Sequence, residues 1–344
     1  MRKLLTFLIA AIFSISVTVS SFAGSMMLLG AGTAAPTFAQ VGQIPGWPPV
    51  QVVASASYTG PGDVVTGALA AYGLRAYNTA DRGNRLINIC DPSNVTCADW
   101  SSSATTGKLI AGTNPLNGTD CTTATTCTVK IWYDRSGALN CGGSACDASQ
   151  ATAASRPTLT FSCINGLPCL VFAGSQVLAS PTTFGTISTA ATTVSAVANR
   201  TGAFTSAGNI FSYGGSSSSL NFNYRQVANT MQMYAGSVGQ IVGNITDSNF
   251  HAFQAVYANT SSDLMCGGGA GTNCSTTGTS NAILPGNVGG GTSFILCIGQ
   301  GFSVTCTGNP LTGDVSEILL YGSIFTGTQQ TNMNANQYTF WGPF

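Results

Sequence analysis

Short runs of apolar and β-branched residues, separated by clusters of Gly, Asn and Ser, recur along most of the chain. Runs of this length and composition are typical of β-strands. In Leu220–Tyr224 apolar residues and Asn alternate fully, which is the pattern of a half-buried antiparallel strand. We predict strands at Val129–Tyr133, Cys169–Phe172, Thr193–Ala198, Ile210–Tyr213, Leu220–Tyr224, Met231–Tyr234, Phe250–Tyr257, Phe294–Ile298 and Val315–Tyr321.

Helical periodicity is confined to two stretches, Val65–Tyr77 and Thr328–Phe340, and we predict a short helix at each. Strands do not alternate with helices along the chain, so a parallel α/β sheet is not expected. The pattern favours an all-β domain built as a two-sheet antiparallel sandwich.

The N-terminus has the pattern of an export signal. Arg2 and Lys3 precede an apolar run from Leu4 to Val19, and Ser21 and Ala23 occupy the small-residue positions of a cleavage site. We therefore predict a signal peptide at 1–23 and a secreted, periplasmic or cell-surface protein. The alternative is an uncleaved anchor helix, because apolar residues continue to Leu29.

Two further segments follow the predicted signal. Residues 24–57 contain Pro36, Pro45, Pro48 and Pro49 without a periodic pattern, which predicts an extended lead-in. From Tyr58 onward the strand pattern is continuous, so residues 58–344 are predicted to form one domain. No other stretch is long and apolar enough to predict an integral membrane span once the signal has been cleaved.

The composition narrows the classes of function. Only 6% of residues are charged, and 11 Lys and Arg balance 11 Asp and Glu, so nucleic acid is not an expected partner. A hydrophobic content of 44% can form a large core, which argues against disorder. The expected surface is neutral and rich in hydroxyl and amide groups.

Twelve cysteines follow the predicted signal, and they fall into neighbouring pairs. We predict the disulfides Cys90/Cys97, Cys121/Cys127, Cys141/Cys146, Cys163/Cys169, Cys266/Cys274 and Cys297/Cys306. Structural zinc is the competing interpretation, but it usually involves C-x2-C or C-x4-C pairs with nearby histidines, and His251 is the only histidine. A disulfide-stapled, exported domain is therefore expected.

Several motifs resemble those of laminin-G-like, concanavalin A-type jelly-roll domains and of the catalytic domain of α-L-arabinofuranosidase B. They are the segments 132–137 (WYDRSG), 150–152 (QAT), 156–159 (RPTL), 71–75 (AYGLR), 172–175 (FAGS) with Leu178, and 313–318 (GDVSEI) with Tyr321. The resemblance implies a two-sheet antiparallel jelly-roll sandwich.

The same resemblance implies where catalytic carboxylates would lie. The arabinofuranosidases carry a nucleophilic Glu in a D-L-E-N segment and an acid/base Asp in an I-G-G-D segment. Here the corresponding stretch at 231–237 has no acid, Gly301 stands in place of the Asp, and the family's vicinal Cys-Cys pair is missing. Glycoside hydrolysis normally uses two carboxylates. We therefore predict no catalytic residues of that kind.

Three other residues are of types that take part in catalysis. His251 lies inside a strand pattern and is expected to be a packed or surface residue rather than a triad base. Glu317 is the only Glu of the chain, and the resemblance implies a structural role, with a poised acid as the alternative. Asp134 is expected to cap backbone N–H groups in an Asx-type turn, with contact to a ligand or metal as the alternative.

Saccharide binding is the positive prediction, because planar aromatic rings and amide or hydroxyl groups recognise sugars without charge. The candidate carbohydrate-binding residues are Asn221, Asn223, Tyr224, Arg225, Gln232, Tyr234 and Asp134. Water-facing amides on a solvated sheet are the competing interpretation. No cofactor is predicted, and a calcium site stays open because the acidic residues are too scattered to identify one.

Three functional classes remain. The first is an exported, non-catalytic carbohydrate-binding or adhesive module whose partners are glycans or cell-surface polysaccharide. The second is a structural surface or appendage protein, for which self-assembly is open. The third is an α-L-arabinofuranosidase-like glycoside hydrolase with displaced catalytic residues.

Overall fold

The structure is a computed structural model that describes residues 57–110, 121, 127–185, 187, 191–201, 208–214, 220–225, 230–235, 238–244, 248–258, 263–267, 295–301 and 305–342. The backbone alone is described at 191, 220–225, 230–235, 238–244 and 263–267. The predicted signal peptide at 1–23 and all but the last residue of the predicted lead-in at 24–57 lie outside the described residues.

The fold is mostly β, with few helices. The strands are β1 (Ala68–Gly73), β2 (Arg85–Cys90), β3 (Cys97–Ser101), β4 (Thr128–Trp132), β5 (Ala148–Ser149), β6 (Thr158–Ile164), β7 (Leu167–Ala173), β8 (Leu178–Ala179), β9 (Ala191–Ala198), β10 (Gly208–Tyr213), β11 (Leu220–Arg225), β12 (Thr230–Ala235), β13 (Val238–Asn244), β14 (His251–Ala258), β15 (Asp263–Gly267), β16 (Leu296–Ile298) and β17 (Thr312–Tyr321). Helix α1 spans Pro61–Val64, helix α2 spans Gly327–Trp341, and 3-10 turns lie at Thr79–Asp81 and Ala153–Ser155. All nine predicted strands are confirmed, with ends that differ by a few residues.

The described strands pair antiparallel in two sets of ladders. In the first set β17 is central: it pairs with β9 along one side and with β1 and β7 along the other. Beyond β9 the set continues with β14 and then β15. Beyond β7 it continues with β6. The second set runs β3, β2, β4, β5, β8, β16, β10, β11, β12, β13. One residue pair, Thr128 with Thr158, joins the two sets.

One buried cluster draws side chains from both sets. Tyr72, Phe172 and Val197 come from the first set, and Trp132 and Phe211 come from the second; all five are completely buried. Alternation along each strand places such residues on one face. The hydrophobic core therefore connects the two sets of ladders.

The helix predicted at Val65–Tyr77 is wrong. The segment contains β1, whose residues Ala68–Gly73 pair with the end of β17 from Tyr321 back to Glu317. The apolar run of β1 is buried on both faces, so its spacing resembled a helical stripe, and pairing with a distant strand overrides the local preference.

The second predicted helix, Thr328–Phe340, is confirmed as α2. Its first turn is capped by the Thr326 hydroxyl, which accepts a hydrogen bond from the backbone N–H of Gln329 at 3.3 Å.

Five disulfides join cysteines that are neighbours in the sequence: Cys90–Cys97, Cys121–Cys127, Cys141–Cys146, Cys163–Cys169 and Cys297–Cys306. These are five of the six predicted pairs. Cys274 lies outside the described residues, so the pair Cys266/Cys274 stays a prediction. Each small loop closed in this way stabilises the fold by roughly 2–3 kcal/mol in the chain-entropy model.

Candidate functional site

The predicted saccharide-binding amides lie on neighbouring strands. In the β11–β12 ladder Asn221 is paired with Tyr234, and Asn223 is paired with Gln232. Directly paired residues share a face of a sheet, as do residues two apart on one strand. These four positions therefore occupy one face, which we call the polar face.

Two predicted residues relate differently to the polar face. Arg225, paired with Thr230, continues the alternation of Asn221 and Asn223 and is at a position of the same face. Tyr224, paired with Met231, is at a position of the opposite face. The register therefore separates Tyr224 from the other predicted residues of the two strands.

Strand β10 extends the polar face by one more strand. Asn209 is paired with Asn223 and Ser212 is paired with Asn221, and an irregularity between Asn209 and Phe211 brings these two residues into line. Asn209 is completely buried, and neither of its amide atoms has a hydrogen-bond partner among the described residues. Buried amides are normally hydrogen-bonded, so an unpaired one marks an unusual site.

Gly301 packs directly against this buried amide. A Cβ atom added at Gly301 would lie 1.7 Å from Asn209 Nδ2 and 3.0 Å from Ser212 Cβ. The backbone N–H of Gly301 donates to the carbonyl of Gly308 at 2.9 Å, which holds the segment in place. The position where the resemblance implied an acid/base Asp thus adjoins the polar face, and the Asn209 side chain occupies the space that an Asp would need.

Asp134 organises a turn. Its Oδ1 accepts hydrogen bonds from the backbone N–H groups of Ala71 and Ser136, both at 2.9 Å, and its Oδ2 accepts one from Cys146 at 3.2 Å. The residue is 5% exposed, and burial raises its pKa although these hydrogen bonds oppose the shift. This is the backbone capping predicted from the sequence; contact of Asp134 with a saccharide stays a prediction.

Glu317 is completely buried in an ion pair. Arg75 donates from Nε to Glu317 Oε2 at 2.5 Å and from Nη2 to Oε1 at 3.0 Å, and Gln337 Nε2 donates to Oε1 at 3.0 Å. Burial alone would lower the pKa of Arg75, but the charge and hydrogen bonds of Glu317 raise it above the ordinary value. The arrangement joins β17 to α2 and agrees with the structural role that the resemblance implied.

His251 begins β14 and is 4% exposed. It is paired with Ala198 of β9, and its ring lies 5.7 Å from that of Phe253. A buried position inside a ladder is the packed environment that the strand pattern predicted.

A second group of polar residues surrounds a cavity at one end of the first set of ladders. This cavity, of about 320 Å³, is lined by residues 163–165 at the β6–β7 turn, Asn199 after β9, residues 248–250 before β14, and Asp314 in β17. Its volume lies at the lower end of the range for small-molecule sites. We call it the Asp314 cavity.

Close backbone contact builds this cavity. A Cβ atom at Gly313 would lie 2.3 Å from the carbonyl oxygen of Asn199, so only glycine permits the approach. The backbone N–H of Asp314 donates to Asn199 Oδ1 at 2.8 Å, and Asn199 Nδ2 donates to the carbonyl of Ser248 at 3.3 Å. The Asn199 amide therefore ties β17 to the segment before β14.

Asp314 is 7% exposed and reaches the cavity. Burial raises the pKa of its carboxyl group, while a hydrogen bond from the Asn199 side chain acts in the opposite direction. Asn165, which also lines the cavity, adopts a left-handed conformation, with φ of 49°, and donates from Nδ2 to the carbonyl of Trp341 at 2.8 Å. In the sequence Asp314 was recognised only within the motif 313–318 and was given no role; a carboxylate in a largely apolar strand was the available signal.

Potential metal ligands also lie at the Asp314 cavity. In the described part of the chain, one group of three potential ligands, Cys163, Cys169 and Asp314, has its ligand atoms within 4.8 Å of one another. The two cysteines form a disulfide, whereas metals bind the free thiolate. The group does not suit a metal while that disulfide is intact.

None of the helices that the structure describes has the length and apolar character needed to cross a membrane.

No protein-family model matches the chain, and no curated protein matches it. Solved structures do match. A GH54 α-L-arabinofuranosidase soaked with a cyclic sulfate inhibitor has a TM-score of 0.58 and 14% identity over 82% of this chain. An arabinofuranosidase complexed with arabinofuranosyl-α-1,2-xylobiose has a TM-score of 0.60 and 15% identity over 82% of this chain.

The chain spans 65% of the length of these arabinofuranosidase structures. A Trypanosoma rangeli sialidase in complex with sialic acid also matches, with a TM-score of 0.43 and 13% identity over 62% of this chain and 32% of the sialidase. The expected similarity to the arabinofuranosidase fold is confirmed at the level of the fold.

Proposed function

We propose that the chain is an exported, non-catalytic carbohydrate-binding module that holds its ligand on the polar face. The register of the β11–β12 ladder carries this proposal, because it places Asn221, Asn223, Gln232 and Tyr234 side by side on one face. Asn, Gln and Tyr are residue types that suit the hydroxyl groups and apolar faces of a sugar.

The proposed architecture is the two-sheet jelly-roll sandwich. The two sets of ladders joined by one residue pair, and the buried cluster that draws on both sets, support it. In such a sandwich the second set would present the polar face away from the shared core.

The absence of catalysis is proposed from the positions of the carboxylates. The chain has no acidic residue between Asp147 and Asp247, the region that contains the whole polar face. At Gly301 the Asn209 side chain takes the space that a carboxylate would need. Asp134 and Glu317 are engaged in backbone capping and in an ion pair. Glycoside hydrolysis normally needs two carboxylates at one cleft.

The proposed domain organisation is a signal peptide at 1–23, a lead-in at 24–57 and the binding domain at 58–344. Five disulfides support an oxidising compartment such as the periplasm or the cell exterior. The proposed partners are glycans or cell-surface polysaccharide.

An arabinofuranosidase-like hydrolase is the second candidate, favoured by the likeness in fold to two arabinofuranosidase structures. It would require two acids from outside the expected positions. Hydrolysis assays on arabinofuranosyl substrates distinguish it from the first candidate.

The test of the first candidate is binding of the exported, oxidised chain to a glycan array and to insoluble plant and bacterial polysaccharides. The double variant Asn223→Ala/Gln232→Ala should lose this binding. Thr160→Ala, which alters an exposed position on β6 in the other set of ladders, is the matched control and should retain it. Absence of binding by the unaltered chain, or equal binding by both variants, would contradict the proposal.

A further inference from the structure

The Asp314 cavity is separate from the polar face. The polar face lies on β11 and β12 of the second set, whereas the cavity is formed by β6, β17 and the residues flanking β9 and β14, all of the first set. A ligand of the cavity would therefore contact other residues than a ligand of the polar face, and substitutions can alter one site without altering the other.

The lining of the cavity is polar and carries a single charge. It presents the carboxyl group of Asp314, the carboxamides of Asn165, Asn199 and Asn249, the hydroxyl of Ser248 and the ring of Phe250. The lining residues include no Lys, Arg or His. An anionic ligand would meet a carboxylate without a compensating positive charge, which disfavours phosphate, sulfate and carboxylate compounds.

A metal cation is disfavoured as well. Calcium takes six to eight oxygen ligands, usually with several carboxylates, and the cavity offers one. The two sulfur atoms nearby are linked in the Cys163–Cys169 disulfide.

The carboxyl group of Asp314 has capacity left for a ligand. Among the described residues, Asn199 is the one hydrogen-bonding group that opposes the effect of burial on the pKa of Asp314, and a carboxylate has about four acceptor positions. The backbone on both sides is fixed, because Asn199 N–H donates to the Asp314 carbonyl at 2.9 Å and Asp314 N–H donates to Asn199 Oδ1 at 2.8 Å. The acceptor is thus held in place before a ligand arrives.

Donors and an apolar surface complete the site. Ser248 and Asn249 are exposed at the mouth, and the Phe250 ring is buried beneath them. A neutral sugar offers hydroxyl donors to a carboxylate, hydroxyl acceptors to amides, and C–H groups to an aromatic ring.

We infer that the Asp314 cavity is a second saccharide site, which takes a single neutral sugar residue and uses Asp314 to accept hydrogen bonds from its hydroxyl groups. The inference rests on the proposed function for its class of ligand but on none of the same residues. Occupation of both places by one polysaccharide would increase the overall affinity through multivalency.

The experiment measures binding of free L-arabinose, D-xylose, D-galactose, D-glucose and D-mannose to the full oxidised chain by calorimetry and by thermal shift. We expect at least one of these sugars to bind the unaltered chain and the Asn223→Ala/Gln232→Ala variant with equal affinity. Asp314→Asn, which turns an acceptor into a donor at constant shape, should weaken that binding at least tenfold. Asn249→Ala at the exposed mouth should weaken it severalfold.

Folding of both variants without sugar is checked by circular dichroism and by a cooperative thermal unfolding transition. Failure of all five sugars to bind, or equal binding by Asp314→Asn, would overturn the second site and leave polysaccharide binding by the polar face untouched. Monosaccharide binding that is lost only in Asp314→Asn, without any polysaccharide binding, would instead overturn the proposed function and keep the second site.

Discussion

Gly301 and Asn209 share a space that holds only one side chain. A Cβ atom at Gly301 would lie 1.7 Å from Nδ2 and 2.8 Å from Cγ of Asn209, which is itself completely buried. The amide fills the place in which the arabinofuranosidase resemblance implies a carboxylate. The glycine at 301 and the buried amide of Asn209 are therefore two parts of one local arrangement.

The first prediction is that Gly301→Ala destabilises the fold and that Asn209→Ala relieves the effect. Overpacking of a tight interior site typically costs about 1–3 kcal/mol in the free energy of unfolding. Because the close atoms are at the end of the Asn209 side chain, the double variant should recover most of this loss. Urea denaturation of the two single variants and the double variant measures the coupling energy. Additive effects would contradict the shared space.

The second prediction concerns the buried pair of Arg75 and Glu317. Glu317→Gln removes the negative charge and leaves the Arg75 guanidinium buried without compensation, so we expect a loss of about 3–5 kcal/mol in the free energy of unfolding. The double variant Arg75→Met/Glu317→Leu removes both charges and should be much closer to the unaltered chain. Chemical denaturation provides the comparison, and a double variant less stable than Glu317→Gln would contradict this account of the pair.

The Arg75–Glu317 pair also shows why contacts between distant segments could not be predicted from the sequence. The two residues are 242 positions apart, and no local pattern indicates that they meet. Strands such as Val129–Tyr133 were predictable because alternation and β-branched residues are local signals. At Val65–Tyr77 the local pattern predicted a helix, but the segment forms β1 because it pairs with the distant strand β17.

For the site residues too, local contacts were predictable from the sequence and contacts between distant segments were not. The capping of Ser136 by Asp134 spans two positions and was predictable as a turn, whereas its bond to the N–H of Ala71 spans 63 positions. The Asp314 cavity combines four separate segments, so no single motif could indicate it. Alternation along β11 already puts Tyr224 on the opposite face from Asn223, whereas the pairing of Asn223 with Gln232 depends on the register between β11 and β12.

The third prediction is that Asp134→Asn destabilises the fold although the shape is conserved. An amide replaces one acceptor oxygen with a donor, so one of the backbone N–H groups of Ala71, Ser136 or Cys146 would lose its partner. An unpaired buried donor costs about 1–3 kcal/mol. Thermal unfolding and saccharide binding should be measured together. Lost binding with unchanged stability would indicate ligand contact by Asp134 instead.

The fourth prediction concerns the dependence of stability on pH. Burial raises the pKa of Asp314, so its protonated form is favoured in the folded state and its contribution to stability declines as the pH rises through the folded pKa. Asp314→Asn should therefore gain stability relative to the unaltered chain at neutral pH, and this gain should shrink below the ordinary aspartate pKa of 3.8.

Asp99 supplies a control of opposite sign. Burial would raise its pKa, but hydrogen bonds from Tyr133 and Asn88, with the hydrogen bond and charge of Arg85, together outweigh burial and lower it. Its ionised form therefore stabilises the fold above the unfolded pKa, and this contribution is lost as the pH falls. Asp99→Asn should be less stable than the unaltered chain at neutral pH, with a smaller difference in acid. Parallel pH profiles for the two variants would contradict both assignments.

The last prediction is that the chain does not release arabinose from arabinofuranosyl substrates. A retaining hydrolase needs one carboxylate to form the glycosyl-enzyme intermediate and a second to protonate the leaving oxygen. The segment 231–237 carries no acid, and Gly301 has no room for one beside Asn209. Glu317 is held by Arg75 and Gln337, and Asp134 is held by three backbone N–H groups. Asp314 is the one carboxylate among the residues that line its cavity.

Purified oxidised protein should therefore give no more pentose than a buffer blank, with a known arabinofuranosidase as the positive control. Turnover that disappears in Glu317→Gln or Asp134→Asn, in protein shown by circular dichroism to be folded, would mean that the acids act in catalysis after all.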